Sequence, residues 1–284
     1  MKNYLKLVLF ALLAITFVSC QEEDDKDKDP VTNKDYYPLA NGTSWEYEVN
    51  EVTADGSLSL INYEKYAVDG TESLDGKTVT NVDGYQREKG VETWGDPHEN
   101  LNGKHYAENN KVYTSVKYIE NLLTFEDFNL SFPLNTDLKF VKMVDFAVDS
   151  WTVIEMPYTN LPLNYSGQDL KFTGTIKLIA KNLSNENYSN SNLSINESAN
   201  VVEYSFQLTG DVTMTLSGAT LPAGTITVAS KRKHWLVNNV GLVKREDSAV
   251  SIEATGLLAQ FINNIPDIPG NRYEITAYTK ATTK

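Results

Sequence analysis

Cysteine is almost missing from this chain. Of 284 residues only Cys20 carries a thiol, so no disulfide can form within one molecule. A chain of this length must then be held by its own apolar core, which it is long enough to supply. Histidine is nearly as scarce, with His98, His105 and His234 the whole complement. A zinc site asks for three or four ligands with orienting partners behind them. No HExxH pair and no second cysteine exist, so no metal and no cofactor is read from the sequence. There is no Gly-x-Ser-x-Gly elbow and no phosphate-cradling glycine loop, and no catalytic residue stands out. Positive charge is in deficit: 25 Lys and Arg face 38 Asp and Glu, for a net charge of −13. A chain this acidic is a poor partner for nucleic acid or for anionic lipid headgroups. Helical periodicity is rare too, and the one long apolar run lies at the N-terminus.

That run, Leu7 to Val18, follows Lys2 and Lys6 and is too short and wrongly flanked for a stable membrane span. Phe17-Val18-Ser19-Cys20 places a small residue directly before the lone cysteine. It resembles a bacterial lipobox, in which the cysteine thiol receives a diacylglycerol and cleavage makes that residue the new N-terminus. Residues 1–19 are therefore expected to be a signal peptide and Cys20 the lipidation site, anchoring the chain to a membrane. Gln21, Glu22, Glu23, Asp24 and Asp25 follow. Acidic residues directly after a lipidated cysteine resemble the surface-export signal of Bacteroidota-type lipoproteins. The resemblance implies an outer-membrane lipoprotein on the cell surface, with the periplasmic face of that membrane as the alternative. Asp25 to Asp29 begins like a calcium loop but lacks its glycine and distal glutamate. Residues 20–35 are read as a disordered acidic tether with a root-mean-square span of roughly 20 Å.

From Tyr36 onward the pattern is strand, and residues 36–284 are expected to be a single all-β domain. Trp45, Tyr47 and Val49 alternate with Glu46, Glu48 and Asn50. Between Val201 and Leu216, residues Val202, Tyr204, Phe206, Leu208, Val212, Met214 and Leu216 take even positions, and positions 203 to 215 are polar at every odd number. One buried and one solvated face is what an antiparallel sheet requires. At about 3.3 Å per residue such a strand runs about 50 Å, so strong twist and a bend near Gly210 are expected. Phe172, Gly174, Ile176 and Leu178 make a second alternating strand, and Asn182 to Asn200, rich in Asn and Ser, reads as a long mobile hairpin loop. Further strands are predicted near 59–69, 77–88, 111–118, 138–145, 149–156, 225–237, 241–246, 249–255 and 272–280. Gly256 to Ile265 predicts one short helix stopped by Pro266 and Pro269. The fold class is thus all-β: a curled antiparallel sheet, half-barrel or open sandwich, with at most one or two short helices.

Two stretches frame the domain. Tyr36-Tyr37-Pro38-Leu39-Ala40-Asn41-Gly42-Thr43-Ser44-Trp45-Glu46-Tyr47 opens it, and Trp235-Leu236-Val237-Asn238-Asn239-Val240-Gly241-Leu242-Val243-Lys244 lies near its end. As an ordered pair they resemble the TapB-like and related lipoprotein families, with a partial echo at Phe132-Pro133-Leu134-Asn135-Thr136. The resemblance implies a curled sheet or half-barrel and brings no chemistry to any residue here. Read without it, Trp45 and Trp235 are expected on the inner face of the sheet.

Chemistry is thinly signalled. His98 and His105 read as exposed loop histidines. Trp94, Asp96 and His98 form a candidate ligand-contact loop, since a Trp in a turn beside Asp and His could stack on a sugar or a partner; the plainer reading folds Trp94 back onto the sheet. Asp247-Ser248-Ala249 fits the Asp-Ser/Thr-apolar pattern of envelope O-glycosylation, making Ser248 a candidate acceptor. The expectation is a lipid-anchored, non-catalytic protein that binds an unknown protein, glycan or lipid on the concave face of its sheet. The alternative is a secreted glycan hydrolase or a glycan-binding accessory of a polysaccharide-uptake system.

Overall fold

A computed structural model describes residues 35–281 apart from 123, 126–129, 132–133, 135–137, 166–167, 217 and 263–267. The signal peptide, Cys20, the run from Gln21 to Asp25, nearly all of the tether and the echo at Phe132-Pro133 lie outside the described residues. Residues Lys34–Lys284 form one compact unit.

The strands are β1 (Ser44–Val52), β2 (Leu58–Leu74), β3 (Lys77–Glu88), β4 (Gly103–Glu108), β5 (Lys111–Ser115), β6 (Thr124–Phe125), β7 (Leu130–Ser131), β8 (Phe140–Asp145), β9 (Ser150–Tyr165), β10 (Gln168–Asn182), β11 (Glu186–Asn190), β12 (Ile195–Leu216), β13 (Ala219–Val237), β14 (Gly241–Asp247), β15 (Ser251–Ala254) and β16 (Gly270–Thr279). Two short helices accompany them, α1 (Val116–Leu122) and α2 (Leu258–Ile262). Fourteen strands make one antiparallel sheet in the order β8-β5-β4-β3-β2-β1-β16-β14-β13-β12-β10-β9, with β11 on β12 and β15 on β13; β6 and β7 pair separately. The fold is all-β, as expected.

The sheet curls until its two end strands nearly meet. No ladder joins β8 to β9, but side chains cross the seam. The Trp151 indole N–H donates to the Lys142 carbonyl at 2.9 Å, and the Asn182 amide donates to the carbonyls of Asp145 at 2.8 Å and Val148 at 2.6 Å. The Tyr204 hydroxyl donates to the Met143 carbonyl at 2.9 Å. An almost complete barrel results, its edges covered by side chains rather than left as open templates.

The long strand β12 sets the core. Val202, Tyr204, Phe206, Leu208, Val212 and Met214 are buried, while no odd position from 203 to 215 is. Leu216 departs from the expectation at 43% exposed, because it ends the strand where β13 begins to turn back. Register against β10 is unbroken through the facing pair Gly174 and Gly210. A Cβ on Gly210 would lie 2.4 Å from the Thr173 carbonyl and 2.6 Å from the Phe172 ring. The two glycines thus let a fully buried phenyl ring lie across the pair.

Two expectations need correction. Asn182 to Asn200 is not a long loop: it holds β11, a turn of 3₁₀ helix at Ser191–Leu193 and the start of β12. The Asn190 side chain caps that turn by accepting from the backbone N–H groups of Asn192 and Leu193. Tyr188, Ile195 and Ala199 are buried beneath it, so a few apolar side chains decide a segment whose composition says loop. Residues 111–118 are strand only to Ser115. Val116 and Ile119, one helical turn apart, are buried as α1 folds over the core. The strand β4 had no expectation, and of the predicted helix Gly256 to Ile265 residues 256–262 are described: Gly256 and Leu257 form a turn and the helix runs Leu258–Ile262.

Candidate functional site

Because side chains alternate across each strand, every second residue points into the barrel, and there they line a cavity of about 80 Å³. Trp45 and Tyr47 come from β1, Tyr66 from β2, His105 from β4, Val112 and Thr114 from β5 and Met143 from β8. The wall continues with Tyr204 on β12, Arg232 and His234 on β13, Leu242 and Arg245 on β14 and Tyr273 on β16. Tyr118 of α1 and the entry segment, through Tyr37 and Leu39, complete it. That entry segment is tied down by the Asp35 N–H donating to Asn238 Oδ1 at 2.8 Å and by the Asn239 N–H donating to the Asp35 carbonyl.

Charge inside the barrel is paired. Asp247 accepts from Arg232 Nε at 2.6 Å and Nη2 at 3.1 Å, and from Arg245 Nη2 at 2.8 Å and Nε at 3.1 Å. The Arg245 guanidinium lies over the Tyr273 ring, 3.4 Å from its centroid. Glu64 is 5% exposed and accepts from the hydroxyls of Tyr66 at 2.5 Å and Tyr273 at 3.4 Å. Burial alone would raise the Asp247 carboxyl, but the two arginines and their hydrogen bonds hold it well below the usual carboxylate range. Burial pushes the hydroxyls of Tyr47, Tyr66 and Tyr204 well above their ordinary value. Burial lowers His105 to about 4. Burial, reinforced by Arg232 and Arg245, holds His234 well below its ordinary value. Both imidazoles are neutral at physiological pH.

Several sequence-picked residues land elsewhere. His105 is not an exposed loop histidine: it is 7% exposed on β4, facing the cavity. Thr114 of β5 is its cross-strand partner and Tyr118 packs edge-on to its ring, so a strand hidden by Gly, Lys and Asn carries it inward. Trp235 is buried but not on the inner face. Its neighbours His234 and Leu236 take the inner positions, and Trp235 turns outward beneath β11, its indole donating to Glu186 Oε2 at 2.8 Å and Lys244 lying over its ring. Trp45 does face inward, donating to the Val240 carbonyl at 2.5 Å.

Trp94, Asp96 and His98 lie in the segment between β3 and β4. The Trp94 ring stacks under the Arg87 guanidinium at 4.7 Å, whereas Asp96 and His98 are exposed and border a shallow hollow with Ile61, Asn62, Gln86 and Glu88. The three side chains do not converge on one pocket. Ser248 is exposed, but its hydroxyl accepts from the Lys231 N–H at 2.8 Å and donates to the Ala249 carbonyl at 3.1 Å, standing in for a ladder bond where β14 gives way to β15. Among the described residues no group of three His, Cys, Asp or Glu could hold a metal ion. The cavity residues Arg232, Arg245 and Thr114 are not singled out by the sequence, and Asp247 stands out only beside Ser248. Arg232 lies within the basic triplet Lys231-Arg232-Lys233, of which it alone lines the cavity.

No family model matches the sequence, and no curated protein matches it. Two solved structures are similar in outline. One is a protein of Parabacteroides distasonis ATCC 8503 classed as a lipoprotein, 14% identical, with a TM-score of 0.43, the match covering 86% of this chain and 98% of that one. The other is a protein of Bacteroides fragilis NCTC 9343 classed as exported and as having a YmcC-like fold, 10% identical, with a TM-score of 0.39 and the same coverage of 86% and 98%.

Proposed function

We propose that this chain is a lipid-anchored lipoprotein of the outer membrane, displayed on the cell surface, with a non-catalytic binding role served by the lumen of its barrel. The observation that carries the binding reading is the cavity itself: walls of tyrosine, tryptophan and aliphatic side chains, with a few polar atoms among them, the composition of a small-molecule site. The arginines inside are taken up by Asp247, which makes them part of the scaffold rather than a charge waiting for substrate. The lipobox-like Ser19-Cys20, the acidic run behind it and the motif pair resembling the TapB-like families support the envelope address.

The address and the binding are tested separately. Cys20→Ala is expected to release the chain from membranes, since the acylated cysteine is the anchor proposed; a variant that still sediments with membranes after a high-salt wash would refute the anchor. Replacing Glu22, Glu23, Asp24 and Asp25 with Ala is expected to protect the protein from protease added to intact cells, and equal shaving of both forms would reduce the run to a tether. For the lumen, native mass spectrometry of the gently purified protein should show a bound small molecule. Val112→Phe, which fills the cavity from β5, should lose it while keeping the β-sheet circular dichroism. An adduct retained by a folded Val112→Phe protein would move the binding site off the lumen.

A further inference from the structure

The cavity wall carries polar atoms that the protein does not pair. Thr114 Oγ1 and His105 Nδ1 have no hydrogen-bond partner, although Thr114 is 1% exposed and His105 7%. They face one another across β5 and β4 and both line the cavity. His234 Nε2, on β13, is a third unpaired atom of the same lining. Buried polar groups are kept unpaired at a cost in stability, so a pair on adjacent strands β4 and β5 and a third atom on β13, six strands away around the same cavity, point to a partner from outside the chain.

The surroundings narrow what that partner is. Arg232 and Arg245 both bond Asp247, the buried Glu64 charge also acts on Arg245 through space, and both imidazoles are neutral, so an ionised ligand would find no counter-charge free to meet it. The imidazoles stand among rings. Tyr37 and Tyr118 lie 6.0 and 5.7 Å from His105, and Tyr204 lies 4.9 Å from His234, offering faces and edges for another flat group. A volume of about 80 Å³ admits a handful of non-hydrogen atoms, more where the unbranched Met143 side chain yields.

We infer that the neighbouring Thr114 and His105 form the recognition edge of the lumen, with His234 of β13 a further polar contact in its wall, and that its occupant is a small uncharged ring molecule bearing a hydrogen-bonding edge. This rests on the lumen being the binding site and names the class of ligand it takes. Neutral imidazole and hydroxyl groups can each donate or accept, so a ring with a donor and an acceptor side by side suits them in either arrangement.

Pyrazole is such a ring, and thiophene has the same size without the N–H donor. In thermal melts of the full chain, millimolar pyrazole is expected to raise the melting temperature more than thiophene does. Thr114→Val keeps the side-chain shape and removes the unpaired hydroxyl. It should melt higher than wild type without any probe, yet bind pyrazole about five-fold more weakly, the loss of one neutral hydrogen bond. Thr114→Ser should keep the wild-type preference. Opposite signs for stability and affinity are what a recognition group produces and a packing group does not. Equal shifts from the two rings, or undiminished pyrazole binding by Thr114→Val, would overturn the ligand class and leave the lumen a binding site. No shift from either ring overturns both.

Discussion

Phe206→Asp should unfold the barrel or bring it close to unfolding, while Gln207→Asp, one residue away, should be nearly silent. Phe206 is 9% exposed on the inner face of β12, between Leu178 of β10 and Ser230 of β13. A carboxylate there sits opposite the apolar Leu178, and the inner-face cation two residues along, Arg232 opposite Tyr204, is already bonded to Asp247. Burying an unpaired charge costs about 3 kcal/mol or more, a large share of the roughly 5–15 kcal/mol that holds a domain together. Gln207 points the other way and is exposed, and its cross-strand neighbour is Lys177. An Asp at that position meets water and a lysine, and a change within about 0.5 kcal/mol is expected. Thermal or urea melts of the two variants decide it. Similar losses, or a larger loss at 207, would overturn the two-faced strand and the barrel built on it.

That contrast also shows what the sequence could reveal. Strict alternation from Val202 to Met214 identifies an inner face because nothing else satisfies a period of two for so long. β3, predicted at 77–88, runs over those residues, bounded by Asp75-Gly76 at one end and Gly90 at the other. Alternation reports sides of a strand, however, and not which side is the lumen. Trp235 illustrates the limit: its size marks it as core, but only the β11 hairpin packed on the outer surface tells which core. The same limit hides the site. Thr114, His105, Arg232 and Arg245 come from four strands, and their meeting depends on barrel closure through Trp151, Asn182 and Tyr204, which no local pattern encodes. Asn- and Ser-rich residues 182–200 failed for a different reason. Their structure is made by side-chain caps such as Asn190, which look like loop chemistry until the residues they hold are known.

Asp247→Asn is the second change expected to be severe. Asp247 is shared between Arg232 and Arg245, with side-chain exposures of 16%, 27% and 11% in that order. Asparagine keeps the shape and one acceptor but leaves two guanidinium groups facing each other with no anion between them. Removing one member of a buried ion pair typically costs about 3–5 kcal/mol, because the abandoned charge stays desolvated; the partial exposure of Arg232 puts this case near the lower end, about 3 kcal/mol. Half-exposed Glu246, the residue before it, serves as control: its ion pair with Lys244 is solvated, and Glu246→Gln should change stability by less than about 0.5 kcal/mol. The pH dependence carries a second signature. The folded-state carboxyl titrates below its ordinary value of 3.8, so its contribution is complete above that value and is lost as the pH falls toward the folded-state one. The stability gap between wild type and Asp247→Asn should therefore be flat from about pH 5 to 8 and narrow progressively below about pH 4. A gap that is absent at neutral pH, or one that widens on acidification, would mean that the two arginines are held by something other than Asp247.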